Sequence, residues 1–162
     1  MAAPSSSFSV LHLLAAAICL ILLPDSAHAT PVDFQYCVDE ILYRVSVYEV
    51  DITPDPAVLN KPITFNISAS TVVNIHAGEV EMEVYDIGTI RLYAGTTELC
   101  KGDIHCPILP GYFELSEVRN MMLPSGTFYT VKMTLRETGR FDLTCISFKL
   151  PLGLFPSVLT YY

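Results

Sequence analysis

Basic side chains are scarce in this chain of 162 residues: nine Lys and Arg stand against 17 Asp and Glu, and none of the nine precedes Arg44. A formal charge of −8 supplies no positive excess for a phosphodiester backbone, so nucleic acid is not expected as a partner. Only four histidines occur and no two cysteines have C-x-x-C spacing, so a zinc site built on His76 and His105 is disfavoured. There is no nucleophile elbow and no metal-spaced histidine pair. Paired catalytic carboxylates are lacking as well, which argues against an enzyme, and no cofactor is expected. Long amphipathic helices, internal repeats, low-complexity tracts and domain linkers are also missing, leaving one domain as the expectation.

What is present begins with an apolar run from Leu11 to Leu23, too short to span a bilayer comfortably. It ends at Pro24, and Ala27-His28-Ala29 places small residues where a signal peptidase reads. Residues 1–29 are therefore expected to be a secretory signal peptide, with an uncleaved anchor as the alternative. Cleavage before Thr30 removes one carboxylate, Asp25, and no basic residue, so −8 becomes −7. Of five cysteines, Cys19 leaves with that segment, and Cys37, Cys100, Cys106 and Cys145 read as two disulfides of a secreted chain. Four cysteines allow three pairings. Cys100 and Cys106 bracket a short polar turn, Lys101 to His105, that can close on itself, which leaves Cys37 to join Cys145. Asn66-Ile67-Ser68 is a glycosylation acceptor triplet.

From Tyr36 onward the apolar residues recur with period two, the mark of half-buried strands. Tyr43, Val45 and Val47 alternate with polar neighbours until the turn cluster Thr53-Pro54-Asp55-Pro56. Ile63, Phe65 and Ile67 alternate next, placing Asn66 on the solvent side. Val80, Met82 and Val84 alternate with Glu79, Glu81 and Glu83. Carboxylates two apart on a strand lie in a row and do not converge on one calcium ion, so a solvated strand face is the expectation there. Ile90 to Tyr93 and Phe113 to Leu115 read as short strands, and Met121-Met122-Leu123 as an exposed apolar cluster. Val131, Met133 and Leu135 form the most regular strand, and Ile146, Phe148 and Leu150 the last. Seven to eight short strands predict an all-β antiparallel sandwich. Residues 151–162 form an apolar tail with no assigned role.

Several stretches resemble the ML family of lipid-recognition domains, which includes the small soluble Niemann-Pick type C sterol carrier, and in particular its secreted plant-type members. They are Tyr43-x-Val45-x-Val47-x-x-Val50-Asp51-Ile52-Thr53-Pro54-Asp55-Pro56, Thr64-Phe65-x-Ile67-Ser68-Ala69, Leu99-Cys100, Cys106-Pro107-Ile108-x-Pro110-Gly111-x-Phe113-x-Leu115 and Leu143-Thr144-Cys145-Ile146-x-Phe148. The resemblance spans residues 36–150, within a domain set at 30–150. It departs after Leu115, where the family has a longer Pro-rich loop, and it is loose over Arg91 to Thr97.

The resemblance implies an immunoglobulin-like sandwich with an apolar cavity between its sheets, and the same two disulfides. It also implies a sterol or phospholipid ligand held without chemistry. Candidate lining residues are Phe65, Ile67, Met82, Val84, Leu92, Phe128, Val131, Met133, Leu135 and Phe148, with Tyr129, Lys132 and Met122 at the mouth. A monomer is expected, secreted or in a vacuole-like lumen, in transient contact with membranes or a membrane lipid acceptor. The alternative is an adhesion or co-receptor module in which lipid is incidental. That module would show a filled core and an exposed apolar patch, where a carrier would hold a cavity of several hundred Å³.

Overall fold

The computed structural model describes residues 29–38, 42–58, 60–102, 104–125, 128–139 and 141–152. The expected signal peptide, apart from Ala29, and residues 153–162 of the tail lie outside the described residues. Nine strands follow in order: β1 (Thr30–Pro31), β2 (Phe34–Tyr36), β3 (Val45–Thr53), β4 (Pro62–Thr71), β5 (Gly78–Tyr85), β6 (Arg91–Glu98), β7 (Gly111–Asn120), β8 (Phe128–Glu137) and β9 (Asp142–Pro151). They form a four-stranded sheet ordered β1-β3-β4-β7 and a five-stranded sheet ordered β2-β9-β8-β5-β6, every strand pair antiparallel. Among the described residues no helix occurs, in line with the period-two pattern.

The sequence predicts seven to eight strands, and the extra ones are the short β1 and β2, too brief to show a period. Other strands outrun their sequence signal. β7 continues five residues past Leu115 to Asn120, because its side chains keep alternating while their polarity inverts: Glu117 and Arg119 turn inward and Val118 outward. β9 runs on through Pro151, and Leu152 is buried beside Ala57. The cluster at 121–123 splits. Met121 and Leu123 are buried and only Met122 is exposed, at 87%, because the chain leaving β7 keeps its alternation and returns every second side chain to the core.

One long edge of the sandwich is closed covalently. Residues 30–36 cross from one sheet to the other, β1 pairing with β3 and β2 with β9. A register shift in β3 between Val47 and Glu49 interrupts its ladder, and the Val47 N–H donates instead to the Tyr36 hydroxyl at 3.0 Å across the sheets. Tyr36 stacks on Tyr43 with centroids 5.5 Å apart. Next to it, Cys37 is bonded to Cys145 with Cα atoms 5.4 Å apart, and Cys100 to Cys106 with 5.6 Å, so both expected pairings are present. At the opposite long edge β6 and β7 end their respective sheets and neither pairs with the other.

The carboxylate row of β5 lies on the outer face, with Glu79 and Glu81 partly solvated as expected, but it is also a charge ladder in which Glu83 is covered. Glu83, only 8% exposed, accepts from Arg91 at 2.7 Å and lies 3.5 Å from Lys132, while Glu79 and Glu81 lie 3.5 and 3.3 Å from Arg136. Neighbouring strands supply the cations, which is why a single-strand pattern could not reveal the cover. The Arg91 hydrogen bond holds the Glu83 carboxyl below its ordinary pKa, outweighing the opposing effect of burial.

Candidate functional site between the sheets

The space between the sheets is filled almost completely by aliphatic and aromatic side chains. Phe65 and Ile67 of β4 face Met82 and Val84 of β5, Val131, Met133 and Leu135 of β8, and Phe148 of β9, all buried. Phe65 and Phe148 meet across the layer with centroids 5.9 Å apart, and Met82 is the cross-strand partner of Met133. Eight of the ten candidate lining residues therefore lie in the inter-sheet layer. Of the other two, Leu92 is half-buried and packs against this core from its margin, while Phe128 is 54% exposed; both sit near strand ends by the loop at 86–90, where they line an external groove of about 270 Å³ with Ile87 and Pro124.

The apolar cavity that remains between the sheets measures about 20 Å³, room for about one water and no more. Ile67, Met133 and Leu135 line it, together with Val45, Val47, Ala69, Val80, Phe113, Leu115, Thr144 and Ile146. The expected cavity is thus present but far smaller than the several hundred Å³ a lipid needs. Most of the additional lining residues were already visible as inward positions of alternating strands. Thr144 was not, since nothing in the sequence marks a hydroxyl as inward; its buried Oγ1 has no hydrogen-bond partner.

Of the candidate mouth residues, Lys132 points to the outer face toward Glu83, and Tyr129 is buried with its hydroxyl donating to the Pro124 carbonyl. Burial also raises the Tyr129 pKa above the ordinary phenol value. A groove of about 790 Å³ runs over the outer face of the four-stranded sheet, past Asp51, Asn66, Ser68 and Ser116, to the edge between β6 and β7, and the buried Ile67 and Leu115 border both it and the inner cavity.

Three polar side chains span that edge. Thr97 of β6 donates through Oγ1 to Glu117 Oε1 at 2.9 Å, and Arg119 Nη2 donates to Thr97 Oγ1 at 2.9 Å and lies 3.0 Å from Glu117 Oε2. The Arg119 and Glu117 side chains are 6% and 9% exposed. Sequence reasoning missed this cluster; its only signal was the inverted polarity of Glu117-Val118-Arg119 at the end of an otherwise regular strand. Asn66 is exposed on β4, where its Oδ1 accepts from Ser116 Oγ at 2.7 Å. Among the described residues no group of three or more His, Cys, Asp or Glu side chains is placed to hold a metal ion.

Two antiparallel sheets packed over an apolar layer, tied along one edge by the Cys37–Cys145 bridge, define an immunoglobulin-like sandwich. The ML domain model matches residues 31–152, and the chain belongs to the ML domain family. It is 25% identical over 118 residues to a phosphatidylglycerol/phosphatidylinositol transfer protein of Aspergillus oryzae, covering 69% of this chain and 67% of that protein. Among solved structures, a Niemann-Pick type C2 protein from the Japanese carpenter ant superposes with a TM-score of 0.58 at 12% identity, over 75% of this chain and 99% of that one. Chicken MD-1, solved with lipid IVa, gives 0.49 at 12% identity over 80% and 100%. Identities this low speak to the fold alone.

Proposed function

We propose that the mature chain is a secreted or lumenal lipid carrier that takes a sterol or phospholipid between its sheets and performs no chemistry on it. The observation that carries this function is the apolar layer enclosed by the two sheets, which keeps a small unfilled cavity beside Met133. The name of the Aspergillus oryzae relative points the same way. Two disulfides suit an oxidising compartment.

Closed packing is compatible with a carrier on energetic grounds. At about 24 cal/mol per Å³, an empty cavity of roughly 400 Å³ costs about 10 kcal/mol, comparable to the whole stability of a domain. Sheet separation and lipid entry must therefore occur together. A lipid that removes about 400 Å² of apolar surface from water gains roughly 10 kcal/mol, enough to offset the parting of the layer. Met82 and Met133, adjacent across β5 and β8, are the side chains best able to repack around such a guest.

The small cavity favours a second function on one count. A filled core together with exposed Ile87, Ile90, Met122 and Phe128 is what an adhesion or co-receptor module presents. Incubation of the recombinant protein with vesicles carrying a fluorescent sterol or phospholipid, followed by native mass spectrometry, separates the two. A protein-lipid complex and vesicle-to-vesicle transfer are expected. With both disulfides intact, neither bound lipid nor exchange leaves only the interaction module.

A further inference from the structure

Arg119 is an unusual residue to find facing into a sandwich. Its side chain is 6% exposed, its Nε is buried without a hydrogen-bond partner, and its Nη2 reaches Thr97, Glu117 and, at 3.5 Å, the Val80 carbonyl. Burying a guanidinium with one donor unused is costly, and arginine presents its donors as a planar fork suited to two oxygens of one oxyanion. Arg119 lines the external groove at the edge between β6 and β7, together with Thr97 and Glu117.

Resting on the lipid-carrier function, we infer that Arg119 is the headgroup residue of the site, that its ligand is the phosphodiester of a glycerophospholipid, and that Glu117 occupies the guanidinium until the lipid arrives. The acyl chains enter the layer between β6 and β7, and the phosphodiester oxygens take the Nε and Nη donors. Glu117 keeps its bond from Thr97 when Arg119 turns to the phosphate.

The groove also distinguishes a lipid phosphate from a free one. Asp51, Glu98, Glu114 and Glu117 line it against only Lys101 and Arg119, so a soluble anion is repelled on approach. A phosphodiester tethered by chains already buried in the layer is held beside Arg119 at high effective concentration. A sterol carries no such group and gains nothing from Arg119.

The test compares uptake of fluorescent phosphatidylcholine, dehydroergosterol and soluble glycerophosphocholine by the wild-type chain, E117Q, R119K and the neutral double variant E117Q/R119Q. The double variant leaves no unpaired buried charge, and circular dichroism checks its fold. Phosphatidylcholine uptake should fall about tenfold or more in the double variant, by the loss of charge-assisted bonds, and recover partly in R119K. It should rise several-fold in E117Q, with dehydroergosterol uptake unchanged throughout and no binding of glycerophosphocholine. Equal losses for both lipids, or none, overturn the role of Arg119, as does a wild-type protein that takes sterol but not phospholipid. A wild-type protein that takes neither lipid overturns the carrier function itself and this inference with it.

Discussion

The bridge between Cys37 and Cys145 closes a loop with a sequence separation of 108, against 6 for Cys100 and Cys106. In the loop-entropy description, constraining the unfolded chain over those lengths stabilises by about 5 and roughly 2 kcal/mol. Removing the long bridge as C37A/C145A carries a further cost. Thr134 Oγ1 donates to Cys145 Sγ at 3.4 Å in a buried setting, and stranding that hydroxyl costs about 1 kcal/mol or more. The expected loss is therefore near 6 kcal/mol for C37A/C145A and about 2 for C100A/C106A. Urea titration followed by far-ultraviolet circular dichroism measures both. At a slope of about 1.5 kcal/mol per M, the two midpoints should differ by more than 2 M. The slope itself should rise in C37A/C145A, because the unfolded chain is then free to expand. A long-bridge variant no less stable than the short-bridge one refutes the reasoning: it would mean that the closed edge is held by β2 and Tyr36 and not by the covalent link.

Met133→Trp forces an indole into a layer with about 20 Å³ to spare and should destabilise by about 1–3 kcal/mol through overpacking; an unchanged Tm would mean that the sheets already part easily. Thr144→Val removes a buried hydroxyl without a partner and should be neutral or stabilising by up to about 1 kcal/mol in chemical unfolding, where a clear loss would reveal a bond that the hydroxyl makes in solution. Glu83 has a folded pKa below the ordinary 4.5, so its contribution is fully present above that value and is lost as pH falls through the lower folded value. Glu83→Gln should then flatten the stability profile on the acid side, and a parallel profile would show that the Arg91 and Lys132 contacts are not formed in solution. Amide exchange should be faster in β6 and β7 than in β8 and β9, and phospholipid vesicles should slow it chiefly in the first pair; equal exchange along both edges would argue against opening at that side.

Sheet type, strand alternation and both disulfides were legible in the sequence, because each is written at short range or fixed by cysteine number. The residues that failed to announce themselves owe their roles to partners far along the chain. Glu83 reads as solvated until Arg91 and Lys132 are brought beside it from neighbouring strands. Phe128 is out of phase with Val131, Met133 and Leu135, so alternation itself turns Tyr129 inward and leaves Phe128 outward, and its apolar character alone makes it a candidate. Glu117 and Arg119 are the instructive case. Alternation in β7 holds, but a pattern that equates inward with apolar ends the strand at Leu115, five residues early, and so discards the two charges that span the open edge.

The two edges of the sandwich differ in the kind of force that joins them, and that difference gives the fold a direction. At the closed edge the chain itself crosses between sheets, and a covalent bond and a backbone-to-tyrosine hydrogen bond back it up. Separation there requires unfolding β1 and β2. At the edge of β6 and β7 the chain also crosses, at one end and beside the Cys100–Cys106 bridge. Along the strands, however, the sheets meet through Thr97, Glu117 and Arg119, whose bonds can be exchanged for water or for a ligand's oxygens. Hydrogen bonds exchanged in this way change the free energy by only about 1 kcal/mol each, whereas the apolar layer behind them resists opening in proportion to the area exposed. In the proposed carrier, the polar latch would set where the sandwich opens, and the apolar layer would set what must enter for it to stay open: a guest large and greasy enough to replace the contacts that the two sheets make with each other.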